Sequence, residues 1–428
     1  MSGHAIEPAR RLTGEVMLPG DKSVSHRALL FSALATGKSV IHGLSAAQDP
    51  KSTVHCLRAL GIEVHEERNT TEVIGRGTRG FSAPAAALDC GNSGTTMRLL
   101  CGILSGQTFE STLTGDGSLM KRPMKRVLGP LAKMGASISG TPAGTAPIAV
   151  KGNPYLRPLR FIADVPSAQV KSAILLAGMY AAGETTVVEP IPTRDHTERM
   201  LGLKSFDVPE GRAVTTQGGM SIPAREYSVP GDTSAAVFLI AAASLLPGSD
   251  ILLKRVSVNP TRAHVFECFR RLGVSLEVVE RVTVAGEEIA DVRVRASGLS
   301  GALDISAPET ASVIDEIPML AVAAAVAGCS FRLRGAQELR VKESDRIELL
   351  VKNLRSMEVE VEEYADGFAF GPNNAVIGGR IGTAGDHRIA MAFGVAGLVV
   401  PGVILDDASC VEVSFPGFWN TIDRLRSH

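Results

Sequence analysis

Six long apolar runs, each opened by small or polar residues, recur along this chain. They are "KSVSHRALLFSALATG" (22–37), "GTTMRLLCGILSG" (94–106), "AQVKSAILLAG" (168–178), "TSAAVFLIAAASLLPG" (233–248), "EIPMLAVAAAVAG" (316–328) and "HRIAMAFGVAGLVVPG" (387–402). Helix starts prefer such opening residues, and a closing glycine suits a helix end. Most of the runs lead into a β-branched stretch that predicts a strand. The runs are apolar nearly all round, so the pattern predicts helices buried against sheets rather than amphipathic surface helices.

Two of the runs share more than periodicity. "LPGDKSVSHRALL" (18–30) and "VPGDTSAAVFLIA" (229–241) both read apolar-Pro-Gly-Asp-x-Ser before the helix. The six units begin near Gly20, Gly91, Pro166, Gly231, Asp315 and Gly385, 65 to 84 residues apart. A repeat of this length predicts an α/β protein of two domains with three units each. The paired Pro-Gly-Asp segments then mark where the chain crosses between domains. On that reading 22–228 forms one inserted domain, and 1–21 with 229–428 forms the other.

Composition narrows the class. At 428 residues the chain exceeds one ordinary core. Apolar residues make up 45% and aromatics only 4%, so Ala, Val, Leu and Gly carry the packing. There are 44 Lys and Arg against 45 Asp and Glu, which disfavours a globally basic nucleic-acid binder; any anion site must be a local cluster. The six cysteines include no CxxC pair and lie near no spaced histidine pair, so neither a zinc site nor a disulfide framework is expected. The N-terminus has no apolar signal core and no run is long enough for a membrane span, so a soluble cytoplasmic protein is expected.

Two glycine motifs are decoys. "TGKS" (36–39) lacks the first P-loop glycine, Ser32 standing there, and it follows a helix instead of preceding one. Gly37 reads as a helix C-cap. "GRGTRG" (75–80) matches G-x-G-x-x-G, but no long helical pattern follows it, and a glycine-rich hairpin is the better reading.

Cations instead collect at helix starts, where backbone N–H groups already attract anions. Lys22 and His26 are four apart, as are Ser23 and Arg27, placing both rows on one helix face. Lys342 and Arg346 have the same spacing in "LRVKESDRIELL", where a bound anion would relieve their repulsion. "SLMKRPMKRVL" presents Lys121, Arg122, Lys125 and Arg126; "PSAQVKSA" supplies Ser167, Gln169 and Lys171; Arg194 and Arg388 open further segments. Singly, each is the ordinary solvated face of a helix, with Glu343 pairing Arg346 and Asp386 pairing Arg388. Their recurrence suits a small ligand bearing carboxylate and phosphate groups. Asp315 and Glu343 are the nearby carboxylates for general acid or base work, against a helix N-cap as the plain reading of Asp315.

Taken in order, "LPGDKSVSHRALL", "GNSGTTMRLL", "GDGSLMKRPMKRV", "PSAQVKSAILLAG", "EPIPTRDHTERML", "VPGDTSAAVFLIAAASLLPGS", "IDEIPMLAVAAA", "LRVKESDRIELL" and "GDHRIAMAF" resemble the 5-enolpyruvylshikimate-3-phosphate (EPSP) synthase family over residues 10–418. "PSAQVKSAILLAG" and "TRDHTERML" look like its second bacterial class. The resemblance implies the enolpyruvyl transferase fold: two domains, each of three βαβαββ-like units with buried helices, and an active site in the cleft between them. It also implies transfer of the enolpyruvyl group of phosphoenolpyruvate to the 5-hydroxyl of shikimate 3-phosphate through a tetrahedral intermediate, releasing phosphate, in aromatic amino acid biosynthesis. No cofactor, metal, nucleic acid or membrane partner is implied, and a monomer is expected.

Carried over residue by residue, the resemblance assigns Lys22, Ser23, Arg27, Ser167, Gln169, Arg194, Asp315 and Lys342 to shikimate 3-phosphate. It assigns Lys22, Gly94, Arg122, Gln169, Arg346 and Arg388 to phosphoenolpyruvate. Asp315 matches the proton acceptor for the 5-hydroxyl, and Glu343 with Lys22 would handle protons at the enolpyruvyl methylene. Many relatives carry Lys before a Thr-Phe-Pro near the C-terminus; here "EVSFPGF" has Val413 there. Glycine at position 94, where some glyphosate-tolerant relatives have Ala, implies sensitivity to that inhibitor. A related transferase acting on UDP-N-acetylglucosamine uses a reactive cysteine, for which Cys90 and Cys101 are the nearest candidates. A non-catalytic repeat protein binding polyanions is the alternative of another class.

Overall fold

The computed structural model describes residues 3–427. Each predicted run forms a helix that feeds a strand: α1 (Lys22–Leu34) and β1 (Ala35–His42), α2 (Gly94–Ser105) and β2 (Glu110–Thr114), α3 (Ala168–Gly178) and β3 (Glu184–Glu189). The second half repeats this with α4 (Thr233–Leu245) and β4 (Asp250–Ser257), α5 (Ile317–Val326) and β5 (Ser330–Leu333), α6 (His387–Val399) and β6 (Ile404–Leu405).

The six strands lie in six different sheets, and in each the same order is built. The central strand has a parallel neighbour on one side and an antiparallel one on the other. Beside β2 these are Leu88–Asp89 and Ile148–Lys151; beside β5 they are Ala302–Ile305 and Gly367–Phe370. The sheet of β6 is the shortest, with three strands. The chain divides into two compact units, one of Gly20–Val229 with Val284–Glu287, the other of Met1–Pro19, Pro230–Thr283 and Glu288–His428. The boundaries fall within two residues of the Pro-Gly-Asp segments. The turn at 284–287, which sequence places with the second half, groups with the inserted unit. No helix among the described residues is long and apolar enough to cross a membrane.

The repeated Pro-Gly-Asp has a local reason. Asp21 caps α1 by accepting from Val24 N at 2.8 Å, and Asp232 caps α4 by accepting from Ser234 N at 2.7 Å. In both, the short carboxylate satisfies a backbone donor that the first helical turn leaves open. Every residue from Thr233 to Ser244 of α4 is buried, which an all-apolar helix requires. Close helix contact also needs small residues. A Cβ on Gly102 of α2 would come 2.2 Å from Ala173 O of α3, so only glycine fits there.

Two local expectations are corrected. Gly37 is not a helix cap: α1 ends at Leu34, the C-cap is Ala35, and Gly37 lies inside β1 with φ +103°. The chain passes directly from helix to strand because Ala35 turns to extended geometry. "GRGTRG" forms no hairpin. It turns off the end of the strand Thr70–Arg76, with Gly77 N donating to Ala35 O, and the next strand, Leu88–Asp89, belongs to another sheet.

Candidate active site

The candidate residues form two clusters, one in each unit. In the inserted unit, hydrogen bonds tie the starts of α1, α2 and α3 together. His26 on α1 bonds through Nδ1 to Thr53 Oγ1 (2.7 Å), Thr53 to Thr96 Oγ1 (2.7 Å), and the Thr96 hydroxyl donates to Ser93, the N-cap of α2 (2.8 Å). Gln169 in the first turn of α3 accepts from Arg98 Nη1 (2.6 Å) and donates to Thr95 Oγ1 (2.9 Å), both on α2. Ser167 caps α3.

Around these starts sit the cations. Lys22 opens α1 and pairs with Asp49 at 2.9 Å. Arg27 is buried, with Nε donating to Thr197 Oγ1 (2.7 Å), Nη2 to Ser172 Oγ (2.8 Å) and Nη1 to Ser23 O (3.0 Å). Burial pulls its guanidinium down to about 10, against the pull of Glu198, Glu287 and Asp21, so it stays charged at neutral pH. Arg122 donates to Asn92 O (3.2 Å) and Asn92 Oδ1 (2.7 Å) beside the start of α2. A Cβ at Gly94 would stand 3.4 Å from Arg122 Nη1 and 2.6 Å from Arg98 Nη1, so two guanidiniums flank the first N–H groups of that helix. A helix start flanked by guanidiniums is an arrangement that attracts anions. Lys121, Lys125 and Arg126 are exposed. Arg194 is half-buried, in the segment joining β3 to the short helix His196–Leu201.

The second cluster is centred on Asp315. Its Oδ1 lies 3.3 Å from Lys342 Nζ and 3.6 Å from Arg346 Nη1, while its backbone carbonyl accepts from Arg388 Nη1 at 2.7 Å. Arg346 also donates to Glu343 Oε2 (2.7 Å) and to Asp386 Oδ2 (2.8 Å). Burial alone would lower the Arg346 pKa, yet Asp386, Glu343 and Asp315 hold it above its ordinary range. Asp386, despite its own burial, is held below the usual carboxylate range by Arg346. Behind Asp315, Glu316 is fully buried, accepts from the Ser234 hydroxyl, and lies 3.3 Å from Arg262 and 3.9 Å from Arg388.

Three expectations about this cluster change. Lys342 and Arg346 do not share a helix: Lys342 ends a one-turn 3-10 helix (Gln337–Val341), and Asp345 caps a new helix that starts at Arg346. Their approach is therefore set by a shared carboxylate, and the helical repulsion argument does not apply. Asp386 pairs with the guanidinium of Arg346, whereas Arg388 gives it only a backbone N–H, at 2.9 Å. The N-cap position of α5 falls on Glu316, one residue past Asp315. Val413 ends a short 3-10 helix and brings no amine.

Sequence reasoning missed Arg98, which donates to Gln169, and the residues that hold the cations: Asp49, Asn92, Ser172, Thr197 and Glu316. They come from elsewhere in the chain, and no spacing rule links them to their partners. An open groove of about 1050 Å³ over the sheet of β5 is lined by Arg332, Glu360 and Tyr364 among others, and by none of the candidate residues.

Comparison with known proteins adds a direct measure. The model of the EPSP synthase (3-phosphoshikimate 1-carboxyvinyltransferase) family matches residues 6–422. The chain belongs to the EPSP synthase family. A 3-phosphoshikimate 1-carboxyvinyltransferase of Salinibacter ruber is 45% identical over 98% of both chains, and one of Pelotomaculum thermopropionicum is 47% identical over 98% of both. The solved structure of EPSP synthase from Acinetobacter baumannii superposes with a TM-score of 0.87 at 39% identity, over 99% of this chain and 98% of that one. Both curated relatives, at 45% and 47% identity over nearly the whole chain, are 3-phosphoshikimate 1-carboxyvinyltransferases rather than the cysteine-dependent enzyme. All six cysteines are buried, and burial pushes the Cys101 thiol up to about 12.

Proposed function

We propose that this enzyme transfers the enolpyruvyl group of phosphoenolpyruvate to the 5-hydroxyl of shikimate 3-phosphate, using both clusters. The observation that carries the reading is the convergence of Lys342, Arg346 and Arg388 on Asp315. Such a carboxylate, flanked by cations in a half-buried position, can accept a proton while the cations receive anionic groups. In this reading Asp315 takes the 5-hydroxyl proton as oxygen attacks C2 of phosphoenolpyruvate, and Glu343 or Lys22 protonates the methylene carbon. Loss of phosphate and of one methyl proton then restores the double bond.

Lys22, Ser23, Arg27, Ser167, Gln169, Arg194, Asp315 and Lys342 are assigned to shikimate 3-phosphate. Lys22, Gly94, Arg122, Gln169, Arg346 and Arg388 are assigned to phosphoenolpyruvate. Both substrates are polyanions that repel each other, and fixed guanidiniums with helix N-termini offset that repulsion without reorganising. Holding the two together makes the transfer effectively unimolecular. One chain supplies every residue named, so the reading needs no partner subunit, and buried reduced thiols suit a cytoplasmic setting. The test is phosphate release from phosphoenolpyruvate, which should depend on added shikimate 3-phosphate; release at an equal rate without it would sink the reading.

A further inference from the structure

Lys171 stands two residues after Gln169 at the mouth of α3, where its sequence position suggests a cation offered to a ligand. The structure turns it inward. It is 2% exposed, and Nζ lies 2.7 Å from Glu189 Oε2 and 2.7 Å from Glu198 Oε1. Glu189 is the last residue of β3, and Glu198 lies in the first turn of the helix His196–Leu201. The segment joining these two carboxylates in the chain carries Arg194. Inside it, Thr193 donates its hydroxyl to Glu189 Oε1. One buried ammonium thus closes both ends of the segment.

The same ion cluster reaches the other residues assigned to shikimate 3-phosphate. Thr197, next to Glu198, accepts from Arg27 Nε and shares a hydrogen bond of 2.6 Å with Ser172, the neighbour of Lys171. Ser172 accepts from Arg27 Nη2 and donates to Ala168 O within the first turn of α3. Burial alone would discharge Lys171, but Glu198 and Glu189 outweigh it and hold its pKa above the ordinary lysine range, so the ammonium persists; burial pushes the Glu198 carboxyl up, against the pull of Lys171. Buried ion clusters of this kind often add little to stability relative to apolar packing, and their value lies in fixing one geometry.

We infer that Lys171 is a positioning residue for shikimate 3-phosphate: with Glu189 and Glu198 it fixes the 190–197 segment, and through it Arg194 and Arg27, in the orientation that receives the substrate phosphate. This rests on the assignment of Arg194, Arg27, Ser167 and Gln169 to that substrate.

The effect should be selective for one substrate, which a merely structural core cluster would not produce. Two variants test it. Glu189→Gln keeps Lys171 paired with Glu198 and loosens only the strand end of the segment. Lys171→Met with Glu189→Gln and Glu198→Gln removes all three charges together and leaves no buried carboxylate unpaired. Misplacing binding groups by an ångström can cost on the order of 100-fold. The expected rise in KM for shikimate 3-phosphate is therefore roughly 3-fold for the single variant and at least roughly 10-fold for the triple one, with KM for phosphoenolpyruvate within about 2-fold. Calorimetric titration with shikimate 3-phosphate alone should show the same loss. A normal KM for shikimate 3-phosphate in the triple variant, or an equal rise in both KM values, overturns the inference. Should the triple variant not fold, an unchanged value in Glu189→Gln overturns it. Arg194→Ala serves as the control. If it raises KM for shikimate 3-phosphate while the two network variants do not, the inference alone fails; if it leaves that KM unchanged, the substrate assignment fails and takes the inference with it.

Discussion

Acid should destabilise this enzyme through His26. The imidazole is fully buried, with Nδ1 bonded to Thr53 and Nε2 without a hydrogen-bond partner among the described residues. Burial, chiefly, pushes its pKa from 6.5 down to about 3, with Lys22 and Arg27 adding to the push and Asp49 opposing it. The folded protein therefore keeps His26 neutral, while the unfolded chain binds a proton there below about pH 6.5. The stability that neutral His26 confers is complete above that value and falls with pH until the folded form also protonates near pH 3. Each unit in that window costs about 1.4 kcal/mol, and integrating from pH 7 to pH 4.5 gives about 2.5 kcal/mol from this residue alone. The assay is urea unfolding of wild type and His26→Gln, followed by circular dichroism at several pH values. The substitution carries its own cost at neutral pH, which is immaterial; the slope decides. Wild type should lose about 2.5 kcal/mol more than the variant over this range. Parallel loss in the two proteins would refute the reasoning and place the acid sensitivity in the carboxylates.

Three further outcomes test the site. Asp315→Asn keeps the side-chain shape but removes the base, so kcat should fall roughly 100- to 10,000-fold with shikimate 3-phosphate binding retained; a fall under about 10-fold would remove Asp315 from proton transfer. Gly94→Ala places a methyl 2.6 Å from Arg98 Nη1 and 3.4 Å from Arg122 Nη1. It should displace the Arg98 guanidinium and raise the glyphosate inhibition constant at least roughly 10-fold, more than KM for phosphoenolpyruvate, given that filled space near the anion site weighs on the longer ligand. Equal inhibition of wild type and variant would contradict this. Treating the native enzyme with a thiol-alkylating reagent at neutral pH should leave activity intact, because buried thiols lack both access and thiolate character; rapid inactivation protected by substrate would count against it.

The legible part of this molecule is the part set by local chemistry. Helices α4 and α5 show in the sequence because their runs are apolar on every face, and burial on every face is what they achieve. The Pro-Gly-Asp repeat showed because capping needs a short carboxylate at one position. Gly37 misled because a positive φ serves a strand irregularity as well as a helix end, and sequence does not tell them apart. At the site, residue types were legible and their partners were not. The cations of "MKRPMKR" make the point. Lys121, Arg122, Lys125 and Arg126 are equivalent by type and share one short segment, yet three are exposed, while Arg122 is half-buried and donates to Asn92 beside the start of α2. Lys171 and Lys22 diverge in the same way: both lie in the first turn of a helix, but Lys171 is 2% exposed between Glu189 and Glu198, whereas Lys22 stays half-buried beside Asp49. What separates a ligand-facing cation from a structural one is the number and depth of the carboxylates that tertiary packing brings to it. These come from a strand end and from the first turns of other helices, 18 to 27 residues away, where no local period reaches. The residues that position the site are therefore the ones that a folded structure alone discloses, and their variants should shift substrate affinity before they shift stability.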